Sequence, residues 1–340
     1  MIKKIRVQNF RKHTDYLTDF KEVKTIITGA NGSGKTSLIE AIYIGLIGKS
    51  WRSKLDDITK NNKSWWRVDI ETNNISNRTI KYQNNQSNFI VDTTEFKRLP
   101  NKFKYPVILF EPNDLNLLYS SPMSRRDYID KLIGSLNVDF NKNSRRYSRV
   151  LKQRNNLLKQ NSTQNDLFVW DIQLADLAAV IISTRHEFIQ KINQYLPSEY
   201  KKINGGSKNL LIEYKYYSDD INKTRQDILN ELHSNYRREI ITGHTSVGPH
   251  QHDFLFHLDD KPAVSILSRG ENRGAILALK NTEYILKRDT SPLILLDDVL
   301  SEFDEKRQNN LLKNYKNSQV IITSVKTPAA VKDFHKIELK

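Results

Sequence analysis

The spacing of apolar and polar positions changes twice within the first fifty residues. Residues 2–10 alternate basic and apolar side chains, with Ile5 and Val7 on one side, which predicts a half-buried strand. Residues 23–28 predict a second strand, 29–35 a tight glycine loop, and 37–46 have helical spacing. Residues 49–104 are polar and Asn-rich, and their short pieces 66–70, 78–82 and 89–91 predict antiparallel strands joined by turns. The apolar run 106–110 predicts a buried strand, and from about Asp114 to Gln194 the spacing is helical. A β-rich stretch is expected over 243–258 and a helix over 268–286. Residues 293–296 predict a buried strand ending in two acids, 304–315 a helix, and 319–323 another strand. The pattern describes an α/β domain whose halves lie at the two chain ends, interrupted by a mainly helical insertion.

Composition narrows this picture. A chain of 340 residues is long enough for two compact units or one with a large insertion. The absence of cysteine excludes a disulfide framework, a thiolate zinc site and a cysteine nucleophile, and fits a reducing compartment. No apolar run follows the charged start, as a signal peptide would require. The best membrane candidate, residues 38–47, is short and contains Glu40, so a cytoplasmic protein without a membrane is expected. The net charge of +15 suggests a polyanionic partner, with a basic surface set by composition alone as the plainer reading.

Gly29-Ala30-Asn31-Gly32-Ser33-Gly34-Lys35-Thr36, followed by Ser37, satisfies the phosphate-loop pattern at every position. Its glycines let backbone N–H groups curl around phosphates, Lys35 reaches the β- and γ-phosphates, and Thr36 can hold Mg²⁺. Chance gives this pattern on the order of 0.01 times per chain of this length. The strand ending in Asp297 and Asp298 is its expected companion, Asp297 holding Mg²⁺ and Asp298 polarising the attacking water. Ser268-Arg269-Gly270-Glu271 opens the helix before that strand. It reads either as a second anion site or as a helix cap with an acidic first turn. The run 299–304 follows as a D-loop would.

Residues 121–160 hold ten Lys or Arg and three acids, almost half of the chain's net charge. At about 100° per residue, Lys142, Arg145, Arg146, Arg149, Lys152 and Lys159 share one helical face. Tyr147, Val150, Leu151, Leu157 and Leu158 share the other, and Arg154 falls among them, where it must snorkel or pair. A basic face of about 25 Å matches a run of duplex phosphates, though a solvated helical face gives the same pattern. Residues 245–253 gather His250, His252 and Asp253 without a third metal ligand, which favours a structural turn.

Together these residues resemble the RecF family of bacterial recombination mediators, SMC-like members of the ABC ATPase superfamily. Further markers are Asn9-Phe10-Arg11, the run 48–53, Phe110-Glu111-Pro112-Asn113-Asp114-Leu115 with Pro122, and the pair Arg125-Arg126. The runs 150–155 and 248–250 also match. The resemblance implies an ABC/SMC-like ATPase head over 1–112 and 245–340, a P-loop α/β lobe with an antiparallel β subdomain. A mainly helical second lobe would span 113–244, with the signature motif 267–271 at the boundary.

It implies a weak, DNA-stimulated ATPase that dimerises head to tail on ATP and clamps DNA at gaps or stalled forks. Each nucleotide would lie between one subunit's P-loop and the other's Ser268–Glu271 motif, with Arg11 nearby. RecO and RecR would be its partners, RecA their indirect beneficiary, and the nucleoid its place. Arg125 and Arg126 would join Lys142, Arg145, Arg146, Arg149 and Lys152 in binding DNA.

The sequence departs from the family at Trp51, often His, and at His252, often Asp. Thr323-Ser324 stand where transporter-type relatives carry a histidine. Asp298 replaces the usual Glu, which implies slow hydrolysis. The Q-loop residue is open between Glu111 and Asn113. Alternatives are a phage-defence or nucleotide-gated scaffold ATPase with an SMC-like head, and a transporter ATPase subunit, which the basic stripe disfavours.

Overall fold

The computed structural model describes residues 1–73, 76–214, 220–315 and 318–340. In chain order it begins with β1 (Ile2–Phe10), β2 (His13–Asp19), β3 (Lys24–Gly29) and α1 (Lys35–Ile47). β4 (Trp65–Thr72), β5 (Arg78–Gln83), β6 (Gln86–Val91), β7 (Thr94–Phe96) and β8 (Val107–Phe110) follow. The middle of the chain holds α2 (Pro122–Leu136), α3 (Val138–Lys159), α4 (Gln164–Asn204), β9 (Leu210–Tyr214), α5 (Ile221–Ser234) and α6 (Tyr236–Thr242). Next come β10 (Phe254–Leu258), β11 (Lys261–Pro262), α7 (Ala263–Ile266) and α8 (Arg269–Lys287). The chain closes with β12 (Leu293–Asp297), α9 (Glu305–Asn314), β13 (Val320–Ser324) and β14 (His335–Leu339).

The chain divides into two compact units, Met1–Leu115 with Ile276–Lys340, and Asn116–Ala275. In the first, β2-β1-β4-β5-β6-β7 form an antiparallel sheet and β14-β3-β13-β12-β8 a parallel one. Helix α1 packs on strands of both sheets, which explains why Leu38, Ile39, Ile42, Ile44 and Leu46 are buried right round it. Each such side chain contributes about 1.5–3 kcal/mol of apolar burial. A Cβ at Gly45 would collide with Ile70, so the missing side chain lets β4 approach the helix. The parallel strands β3, β12, β13 and β8 end on one side, where open α/β sheets place their ligands.

In the second unit, α4 packs against α3, α5 and β9. Thr163 and Asp166 close a reciprocal capping box at its start. This helix is long and apolar enough to cross a membrane by length and composition, which the run 38–47 is not. β9 is an edge strand whose Ile212 N–H and C=O are both held by the Asn193 amide, at 2.9 and 2.8 Å.

The sequence assigned residues 245–275 to the first lobe, but the second unit extends to Ala275. The reason is non-local pairing: β10 joins β9 across about forty residues, and β11 and α7 build on it. The β-rich stretch expected over 243–258 is likewise confined to β10. Its first half is a turn, where Gly248 has φ 123° and a Cβ would meet the Tyr147 hydroxyl at 2.5 Å. Strands β2, β9 and β14 were not expected from the sequence.

Candidate nucleotide-binding site

The buried strand β3 delivers Gly29 to the loop, and α1 starts at Lys35. Gly32 and Gly34 adopt φ of 81° and 102°, a region that glycine enters without strain. Gly34 caps α1 without any side-chain hydrogen bond, so the first N–H groups of the helix are left for a ligand. Buried Ser33 Oγ also has no hydrogen-bond partner among the described residues. Lys35 folds back over its own loop, donating to the carbonyls of Gly29 and Ala30 at 2.8 and 2.9 Å.

Thr36 Oγ1 donates to Asp297 Oδ1 at 3.0 Å, joining residues 261 positions apart in the chain. The same Oδ1 accepts Thr323 Oγ1 at 2.8 Å. Asp298 sits at φ 55°, with its N–H on Thr323 Oγ1 at 2.9 Å, and its buried Oδ1 has no hydrogen-bond partner among the described residues. Burial pushes the Asp298 carboxyl up; Lys35 opposes this, while Asp297 and Glu302 reinforce it. Asp298 lines a cavity of about 300 Å³ with Ser301, Ser324 and Lys326.

This arrangement fits a nucleoside triphosphate with a divalent cation. The open helix terminus and Lys35 suit phosphates, and the hydroxyl–carboxylate pair Thr36–Asp297 is an oxygen donor set of the kind Mg²⁺ takes. Asp298 itself lines the cavity, which is large enough for water.

The sequence missed several neighbours of this loop. A ring nitrogen of buried His13, Nε2, lies 3.1 Å from the Gly34 carbonyl, so it must carry the proton. Burial holds the His13 pKa down, against the opposing hydrogen bond to the Gly34 carbonyl. Lys12 Nζ stands 3.0 Å from where a Cβ on Gly32 would be.

Arg11, expected beside the nucleotide, is half-buried and bonded to α1 and the run 53–57. It donates to Glu40 twice at 3.0 Å, to Ser53 Oγ at 2.5 Å and to the Asp57 carbonyl at 3.0 Å. Glu40, fully buried on α1, also accepts from Arg52 and Ser50. Burial alone would raise its pKa, but these hydrogen bonds outweigh it and pull the carboxyl down to about 2. Of the two Q-loop candidates, Glu111 accepts Trp51 Nε1 at 2.9 Å and follows Phe110, the register partner of Leu296.

In the second unit, Ser268 and Glu271 form a reciprocal cap. The Ser268 N–H donates to Glu271 Oε2 at 2.9 Å, and the Glu271 N–H to Ser268 Oγ at 3.3 Å. Ser268 and Arg269 are solvent-exposed, and Gly270 is half-buried. Along α3, Lys142, Arg145, Arg146, Arg149, Lys152 and Lys159 are all exposed, opposite buried Tyr147, Val150 and Leu158. Arg154 pairs inside the unit with Asp171 at 2.5 Å and Glu239 at 2.6 Å.

Arg125 and Arg126, expected on the nucleic acid with that stripe, turn inward. Arg125 holds Asp253 through two bonds of 2.9 and 2.6 Å, and Arg126 holds the His252 carbonyl at 2.6 Å. Within the turn 245–253, His250 and His252 bond the hydroxyls of Tyr147 and Tyr214 at 2.6 and 2.9 Å. Burial, then Arg185, pushes His252 down to about 4.

A family model described as the RecF/RecN/SMC N-terminal domain matches residues 1–337. This chain belongs to that family. Among its RecF-named relatives, the DNA replication and repair protein RecF of Lachnoclostridium phytofermentans is 31% identical over 95% of this chain and 92% of its own. That of Streptococcus uberis is 32% identical over 98% and 97%. A solved structure described as the recombination mediator protein RecF-ATPrS in the RecFOR pathway superposes with a TM-score of 0.88. It is 26% identical and covers 100% of this chain and 96% of its own. An Smc head bound to the C-terminal winged helix of ScpA is 16% identical with a TM-score of 0.55, which speaks for the fold alone. The RecF resemblance and the ABC/SMC-like head expected from the sequence are both borne out.

Proposed function

We propose that this chain is an ATP-dependent DNA-binding protein of recombinational repair and replication restart. The Thr36–Asp297 bond carries this reading, because it brings the phosphate loop and the strand-end acids into one site with an unsatisfied oxygen on Asp298. The similarity to ATP-bound RecF structures, 26–27% identical over nearly the whole chain, supports it.

In this reading the loop N–H groups and Lys35 bind the triphosphate, Thr36 and Asp297 hold Mg²⁺, and Asp298 orients water. Bound Mg²⁺ supplies charge neutralisation at the phosphates. The shorter reach of Asp298 relative to Glu makes hydrolysis slow, and DNA stimulates it. Ser268 and Gly270 of a second copy complete the nucleotide site, so that ATP drives a head-to-tail dimer that clamps DNA. RecO and RecR are its partners, RecA loading is the outcome, and the cytoplasmic nucleoid is the place of action. The α3 face, rather than Arg125 and Arg126, meets the phosphates, since those two are held by Asp253 and the His252 carbonyl.

Fluorescence anisotropy of a labelled gapped duplex at fixed salt, with ATP, with ADP and without nucleotide, tests the reading. ATP-dependent binding is expected, and equal or absent binding in all three states overturns it. Replacing Arg145, Arg146 and Arg149 with Ala should lower the slope of log affinity against log salt by about 2–3. An unchanged slope would leave the stripe a solvated face.

A further inference from the structure

We propose that Thr323 is a positioning residue for both acids at the end of β12. The proposal rests on the ATPase reading above and adds a residue to it. β13 lies parallel to β12 with Thr323 in register with Asp297, and the Thr323 side chain is fully buried. Its hydroxyl is used in both directions: it donates to Asp297 Oδ1 at 2.8 Å and accepts the Asp298 N–H at 2.9 Å. The Thr323 carbonyl accepts the same N–H at 3.2 Å.

These bonds have separate consequences. Asp297 Oδ1 receives hydroxyls from Thr36 and Thr323, so its carboxylate stays fixed by Thr323 when Thr36 turns to a ligand. Asp298 holds φ 55°, a conformation that a non-glycine residue keeps only where its surroundings over-determine it. The Thr323 hydroxyl supplies part of that determination. Asp298, whose Oδ1 has no hydrogen-bond partner among the described residues, lines a cavity of about 300 Å³, large enough for several waters. A single buried hydroxyl thus ties the aim of the water-orienting acid to that of its metal-holding neighbour.

The test compares the full-length wild type with Thr323→Val, which keeps the shape and removes the hydroxyl, and Thr323→Ser, which keeps the hydroxyl and removes a methyl. Three quantities are read: steady-state kcat and KM for ATP, binding of a fluorescent ATP analogue titrated with Mg²⁺ or in chelator, and Tm. For Thr323→Val, kcat should fall about tenfold with KM within about twofold. The Mg²⁺ midpoint should rise about fivefold, while metal-free affinity stays within about twofold. Thr323→Ser should recover kcat to within about threefold of wild type.

A Val variant within about twofold of wild type in kcat and Mg²⁺ midpoint overturns the proposal, as does a Ser variant as impaired as Val. Should Val fail to fold, Thr323→Cys, a weak donor, takes its place and should fall below Ser. Activity that follows Tm rather than donor strength makes Thr323 a packing residue and also overturns it. A wild type that does not bind the analogue refutes the ATPase reading itself, whereas a kcat and an Mg²⁺ midpoint that are unchanged across the series refute only the role of Thr323.

Discussion

Helices α1 and α8 begin at the two motifs expected to meet nucleotide, and their N-termini are finished in opposite ways. Gly34 offers α1 no side-chain cap, and the adjacent Ser33 hydroxyl has no partner among the described residues. At α8, Ser268 and Glu271 satisfy each other's backbone N–H groups. An α-helix leaves about four N–H groups unpaired at its start. In α1 they form an anion site that is ready before ligand arrives, whereas at α8 a phosphate would have to displace part of an existing cap. The open terminus also has to be anchored elsewhere. Glu40, one turn beyond Thr36, draws in Arg11, Arg52 and Ser50, while Arg78 donates to the carbonyls of Gly45 and Leu46 near the helix end.

The largest effect expected from this contrast is on ligand binding. Lys35→Ala should weaken ATP at least about a hundredfold, since a charge-assisted phosphate contact is lost from a site with no alternative cation on α1. Isothermal titration that finds affinity retained would mean that the bare helix terminus suffices.

Next in size is the anchor. Glu40→Gln should cost about 2 kcal/mol at pH 7, less than the full pKa displacement implies because Arg52 is partly solvated. Glu40's folded-state pKa, about 2, lies below its ordinary 4.5. Its stabilisation is therefore complete above about 4.5 and lost as pH falls toward about 2. Chemical denaturation of wild type and variant should give curves that converge through that window, and a pH-independent gap would assign the loss to packing.

The smallest effect should be at α8. Ser268→Ala should remove ~1 kcal/mol of stability and leave ATP binding by a single chain intact. Loss of ATP-driven dimerisation in sedimentation would assign Ser268 to the partner's nucleotide as well as to its own cap. Dimerisation retained alongside the stability loss would leave it a cap alone.

Much of the nucleotide site could be read in the sequence because its parts are short and contiguous. The loop 29–36 and the strand closing on Asp297 each depend on residues within a few positions of one another, where spacing fixes geometry, as does the Ser268–Glu271 helix cap in the second unit. The α3 stripe was legible for the same reason, one helical period sorting Arg145 outward and Tyr147 inward.

Other features depended on partners far along the chain. Arg125 and Arg149 look alike in sequence, yet Asp253, 128 positions from Arg125, turns it inward. Arg11 is paired with Glu40, 29 positions away, and the second unit gains residues 245–275 through the pairing of β10 with β9. Thr323 is the clearest case, since only the order of strands in the parallel sheet sets it beside Asp297. Local spacing determined which chemical groups this protein carries and on which elements. Only the tertiary structure decided which of those groups are paired internally and which are left open, because an ion pair or a sheet register joins residues whose separation along the chain carries no signal.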